Sequence, residues 1–522
     1  MIKWSHVRTE PPWINDKESP IRLHKGAEQG EMMERLGKLP RRDALRMGRG
    51  ALAGLLALGA TGSPRAVAAA AGRGAVPSPA APTPTPPSTA AYYSGVYRNL
   101  FREAGYTEQD IHDKLGAAWD QLFDGDPSTQ ALYYLDPTSS DRAYIYAVDS
   151  DDVRTEGQSY GMMIAVQLDK KREFDRIWAW TKTYMQHTDP TDPWYGYFAW
   201  HCKPDGTVLD PGNASDGETW LITALFIASG RWGDGEGIYN YRAEAQAILD
   251  AIRSKEATAA ATGVGDMFNP SNALVRFVAG TGANTWTDPS YVEPAYYELW
   301  ARWASHDNDF WYRAAAAGRA FLHTTVNGTT GLMPDYANFD GTPRGSGTHS
   351  TYSYDARRTE MNIGMDYHWW ANDPWQITEN DRLQTFVSGQ SVTTFGSEYT
   401  LDGTEIRPYH QAGHVAMIAA AGLAGSTTRV RDFVDELWAA SIPSGFYRYY
   451  DGLLYLLGLL QVSGQFRIYA LRTGGNPGGP GATTPELGSG ERSRPNSSPS
   501  PWPSAVDDGR IVGEVRPMRG PQ

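Results

Sequence analysis

Of 522 residues, 41% are hydrophobic and 20% charged, a balance that fits a soluble protein with a substantial core. A formal charge of −13 and a pI of about 5.4 leave no basic stripe for phosphates, which excludes nucleic acid as a partner and suits a neutral or cationic substrate. The single cysteine, Cys202, excludes an intramolecular disulfide and reads as a small buried residue.

From Leu39 the chain reads LPRRDALRMGRGALAGLLALGATGSPRAVAAAAG. Paired arginines (Arg41, Arg42), a modest apolar segment (Ala51 to Ala60) and small residues at Ala66-Val67-Ala68 have the layout of a twin-arginine signal peptide. The apolar segment is shorter than the roughly 20 residues that span a bilayer, and no later stretch qualifies. Residues 1–70 are therefore expected to be an export extension, with Met32 or Met33 as alternative starts. Residues 71–91, rich in Pro, Ala and Thr, read as a linker, and 472–522 as a Gly/Pro/Ser tail that cannot build a core. The expectation is a secreted monomer with one folded domain over 92–471.

Within that block helical signals recur. TEQDIHDKLGAAWDQLF carries a Thr107 cap and apolar positions at helical spacing. Further helices are expected to begin near Tyr160, Glu173, Gly217, Tyr241, Tyr291, Phe310, Arg358, Asp381, Gly413, Arg429 and Tyr449, and strand alternation is scarce. About a dozen helices in consecutive pairs, joined by loops rich in Gly, Pro, Asp, Trp and Tyr, read as all-α.

Three segments place an acid at the mouth of an apolar helix: RTEGQSYGMM (Glu156), NASDGETWLITAL (Asp216, with Glu218) and YSYDARRTEMNIGMDYHWW (Asp355, with Asp366). Singly, each could cap a helix, for about 1 kcal/mol. A carboxylate entering a core is costly unless something pairs with it or uses it. Three such acids among surplus aromatics point to a shared cleft and to glycoside hydrolysis. That reaction needs one protonated and one ionised carboxyl. Burial at the edge of an apolar run suits Glu156 to hold the proton, and Arg357 and Arg358 suit Asp355 to stay charged.

RTEGQSYGMMIAVQLDKKREFDRIW, GYFAWHCKPDGT, ASDGETWLITALFIASGRWGDGEGIYNY, TDPSYVEPAYYELW and YDARRTEMNIGMDYHWW together resemble glycoside hydrolase family 8, over about Tyr92 to Tyr469. The nearest branch is that of reducing-end xylose-releasing exo-oligoxylanases. The resemblance implies an (α/α)6 barrel and an inverting hydrolase of β-1,4-xylosidic bonds that takes xylo-oligosaccharides and needs no cofactor or metal. By position it implies that Glu156 is the general acid, Asp355 the general base and Asp216 the carboxylate that holds and distorts the sugar. Tyr291, Arg358, Trp200 and His410 fall at substrate-binding positions.

One segment departs. Exo-action in that branch rests on a Leu-His-Pro kink, and here RPYHQAGHVAM has His410 in place but Tyr409 and Gln411 for the Leu and Pro. Without the proline the backbone angle that fixes the kink is released. An endo-acting β-1,4-xylanase or β-1,4-glucanase is therefore the alternative activity, and a silent sugar-binding protein the alternative class. His410 and His414 share the four-residue spacing of a zinc pair but lack the glutamate of H-E-x-x-H. Asp366 is the alternative base.

Overall fold

Thr107 opens the first long helix of the computed structural model. Its Oγ1 accepts the Asp110 N–H at 3.1 Å and Asp110 Oδ2 accepts the Thr107 N–H at 3.3 Å, a reciprocal capping box. The structure describes residues Ala90 to Leu471, all within the first of the two units into which the chain divides, Met1–Gly474 and Gly475–Gln522. The expected signal peptide, the tail, and the linker apart from Ala90 and Ala91 lie outside the described residues.

Among the described residues, twelve helices have ten residues or more. In chain order they are α1 (Glu108–Asp124), α2 (Thr155–Gln167), α3 (Lys171–Tyr184), α4 (Ser215–Trp232), α5 (Tyr241–Ala251) and α6 (Pro294–Trp303). The rest are α7 (Asn308–Thr325), α8 (Arg358–Trp370), α9 (Trp375–Gly389), α10 (Ala412–Ala421), α11 (Arg429–Ala439) and α12 (Arg448–Val462). All twelve expected helices are present, with starts displaced by at most six residues.

Two kinds of helix alternate. Every residue of α2 and α8 is buried, whereas α5 and α11 each bury only four of eleven. The even-numbered helices pack in sequence, α2 on α4 and so on, until α12 returns to α2 and closes a ring. Each also packs against one odd-numbered helix outside it: α3, α5, α7, α9, α11 and, for α12, α1. The fold is an (α/α)6 barrel. Inner helices are apolar all round because helices cover them on every side, and outer helices keep a polar face for water.

The inner helices run parallel, so their N-termini share one end. The loops there carry four short antiparallel sheets, including a three-stranded one of Val153–Arg154, His201–Cys202 and Val208–Asp210. At the other end the first and last described segments meet. Tyr97 donates from its hydroxyl to the Ile468 carbonyl, Gln167 exchanges two hydrogen bonds with the Arg467 backbone, and Phe466 stacks on Trp369 at 5.7 Å. Arg98 donates to the carbonyls of Gly422 and Leu423 just past the C-terminus of α10, where a cation is favoured. No helix among the described residues is long and apolar enough to cross a membrane.

Candidate active site

None of the three acids is a helix cap. The cap positions of α2, α4 and α8 belong to Arg154, Ala214 and Arg357, and none makes a side-chain capping bond. Glu156 and Asp216 instead sit in the first turns of α2 and α4, and Asp355 in a 3-10 turn, Tyr354–Arg357, that leads into α8.

Two glycines bring these ends together. A Cβ on Gly217 would lie 2.5 Å from Thr155 Cβ, and one on Gly157 would lie 2.7 Å from the Tyr449 hydroxyl. Only a residue with no side chain lets α4 approach α2, and α12 approach α2, at those points. The start of α2 is pinned as well. Arg154 makes a bidentate pair with Asp152 at 2.9 Å on both arms, His201 Nε2 lies 2.8 Å from the same carboxylate, and the Thr155 N–H donates to the Trp200 carbonyl at 3.0 Å.

The acids converge on Arg358, which is 1% exposed. Its Nη1 donates to Asp216 Oδ2 at 2.9 Å, to Glu156 Oε2 at 3.2 Å and to the Tyr160 hydroxyl. Its Nη2 donates to Ser290 Oγ at 3.0 Å and lies 3.1 Å from Asp355 Oδ2. The guanidinium also sits over the Tyr291 ring, 5.5 Å from its centre. Tyr449 donates from its hydroxyl to Glu156 Oε1 at 3.0 Å.

Depth separates the carboxylates. Asp216 is 3% exposed and Glu156 9%. Burial pushes the Asp216 carboxyl up to about 6, against the pull of Arg358 and with a further push from Glu156 and Asp355. Three carboxylates share one guanidinium here, so each ionised neighbour makes it harder for Asp216 to ionise. Burial is not all that acts on Glu156: an arginine and a phenol hold its two oxygens. Tyr354, beside Asp355, has a positive φ of 47° with a full side chain, a strained backbone of the kind found at functional sites.

The remaining expected residues divide. Tyr291 closes a 3-10 turn (Pro289–Tyr291) before α6 and stacks parallel to Phe277 at 5.4 Å. Trp200 joins the site through its carbonyl bond to Thr155 and stacks on His201 at 4.3 Å, but it is only 5% exposed. His410 turns towards α11, with Nδ1 3.0 Å from the Phe395 carbonyl and Nε2 3.1 Å from Glu436 Oε1. His414 is buried, 2.6 Å from the Tyr352 hydroxyl, so the two histidines keep separate partners. Among the described residues no group of three His, Cys, Asp or Glu could hold a metal. Asp366 is tied two turns further along α8 to Arg319, at 2.7 Å on both arms, and to Gln376 at 2.6 Å. It is a structural ion pair and no base. Glu218 accepts the Phe198 N–H at 3.1 Å, and burial raises its carboxyl to about 8. Burial likewise pushes the Cys202 thiol up to about 12, far from nucleophile chemistry.

Sequence reasoning missed Tyr160, Ser290 and Tyr449. A signal existed for Tyr449: like the acids, it is a polar group opening an apolar helix.

Comparison with known proteins follows the same lines. The family model described as glycosyl hydrolases family 8 matches residues 139–464. Among curated relatives, the reducing-end xylose-releasing exo-oligoxylanase Rex8A of Paenibacillus barcinonensis is 43% identical over 386 residues, 73% of this chain and 98% of that protein. The reducing end xylose-releasing exo-oligoxylanase of Halalkalibacterium halodurans is 39% identical, over 73% and 96%. Of solved structures, Rex8A complexed with xylose superposes with a TM-score of 0.69 at 43% identity, covering 73% of this chain and 100% of that one. A xylobiose complex from Teredinibacter turnerae gives 0.70 at 42%, covering 73% and 99%. The chain belongs to glycosyl hydrolases family 8 and is a glycoside hydrolase.

Proposed function

We propose that this hydrolase acts after export, as a monomer, on β-1,4-xylosidic bonds, releasing xylose from the reducing end of xylo-oligosaccharides with inversion at the anomeric carbon. The observation that carries the reading is the convergence of Glu156, Asp216 and Asp355 on the single guanidinium of Arg358. One hydrogen bond, one ion pair and the guanidinium between them link Glu156 to Asp355, a span that admits the roughly 6.5–9.5 Å of an inverting pair with water between.

In this reading Glu156, steadied by Tyr449 and Arg358, gives its proton to the leaving oxygen. Asp355, kept charged by Arg358, takes a proton from the water that attacks the opposite face of the sugar. Asp216, more buried than Glu156, holds the sugar next to the scissile bond. The exo-oligoxylanase relatives support xylose as the product.

A second reading, an endo-acting β-1,4-xylanase or β-1,4-glucanase, is favoured by one feature. His410 is held by Phe395 and Glu436, and Gln411, in place of proline, accepts a hydrogen bond from Arg357 at 2.7 Å. A Teredinibacter turnerae structure at 41% identity is of a xylanase with xylohexaose. Incubation with xylotriose, xylohexaose and polymeric xylan separates the two. Xylose as the first product, from the reducing end, is expected; a fast loss of xylan viscosity would establish the endo reading.

A further inference from the structure

Glu293, the residue before α6, has no part in the reaction as drawn, yet it is 1% exposed in the barrel core. The Trp220 indole N–H, from α4, donates to its Oε1, while Oε2 is buried with no hydrogen-bond partner. A carboxylate with one hydrogen bond is costly in a core; a carboxylic acid, whose second oxygen is a donor, is not. Burial pushes Glu293 well above the usual carboxyl range, against the pull of Trp220 and Arg358 and with a push from Asp216. The titratable and charged groups facing it are Asp216 from α4, Arg358 from α8, Tyr160 from α2, and Tyr296 and Tyr297 from α6.

Arg358 also has a core side. Its Nε is buried and unpaired. One turn later on α8, Asn362 donates to the Ser290 carbonyl at 2.8 Å and leaves its buried Oδ1 unpaired, while Ser290 Oγ accepts from Arg358. Buried donors and acceptors are normally satisfied, directly or through an ordered water. Glu293 as an acid and Arg358 Nε are donors and Asn362 Oδ1 is an acceptor, a set that one ordered water, accepting from both donors and donating to Asn362, satisfies.

We propose that Glu293 is a positioning residue for the hydrolytic centre, holding Arg358 from the core side so that its guanidinium keeps the three carboxylates in place. The proposal rests on the catalytic reading given above. The test uses the full chain and xylotetraose. Glu293→Leu keeps roughly the volume and removes both polar atoms; Glu293→Gln keeps an acceptor for Trp220 and a donor on the second atom. The Leu variant is expected to lower kcat about 30-fold with KM within about twofold, and the Gln variant to recover at least about tenfold of that loss. Wild-type kcat in a folded Leu variant, or equal losses in Leu and Gln, overturns the proposal. Should the Leu variant not fold, Trp220→Phe removes the indole donor and keeps a ring. A kcat about fivefold lower at unchanged KM is then expected, and wild-type kcat overturns the proposal. Asp355→Asn is assayed alongside: full activity there would sink the catalytic reading itself, whatever Glu293 does.

Discussion

At Arg358 one side chain serves three carboxylates, and its planar fork is what makes this possible. Lysine is a point charge that cannot present two amino groups at fixed spacing, so Arg358→Lys is expected to lower kcat by about 10²-fold while keeping the net charge. Glu156→Gln and Asp355→Asn should each lower kcat by about 10³-fold or more, as loss of a general acid or base does, in a steady-state assay on xylotetraose. Asp216 makes a different prediction. Its carboxyl is raised from 3.8 to about 6, so the folded state binds the proton more tightly than the unfolded state. Stability from that proton is fully present below about pH 4 and is lost as the pH rises through about 6. Asp216→Asn should therefore match wild type in stability near pH 4 and exceed it at pH 7 by on the order of 3 kcal/mol or less, read as a higher Tm, while activity falls. A variant with lower Tm at pH 7 would contradict this.

Among the elements, the legible part was the alternation of helices. Long apolar runs such as those of α10 and α12, and amphipathic ones such as α1, announce themselves through spacing and length. Boundaries were harder. Helix α2 starts at Thr155, ahead of the expected Tyr160, because Arg154 gives no capping signature and Gly157 looks like a break. Tyr291 belongs to a separate 3-10 turn that Pro294 divides from α6. The acids were legible because charge at the mouth of an apolar helix is anomalous. Tyr449 carried a weaker form of that signal, because its hydroxyl sits on a ring that looks like core. The turn of His410 towards α11 was not legible, because it depends on where Glu436 lies across the fold. The same local logic makes Gly217 a hinge of the site. Gly217→Ala forces a methyl against Thr155, which should cost about 1–3 kcal/mol and, by prising α4 from α2, lower kcat more than tenfold. Thermal melts and a steady-state assay check both.

For the whole molecule, ring closure does what no single segment can. Residues 156, 216, 355 and 449 meet because six inner helices start at one end, and the first and last described segments seal the other. Phe466 is 2% exposed and packs against Trp369 and Trp220. Phe466→Ala should cost about 3–5 kcal/mol in denaturant unfolding and leave kcat per folded molecule within about twofold, since the seal lies away from the carboxylates. A large loss of kcat without loss of stability would show the two ends to be coupled.

The central claim is that Glu156 and Asp355 face each other across one sugar on the arms of Arg358, with a water on the Asp355 side. Time-resolved proton NMR of xylohexaose hydrolysis reads this in one experiment. The account predicts that each newly formed reducing end appears first as the α-anomer, with free xylose among the earliest products. A β-anomer formed first would contradict it.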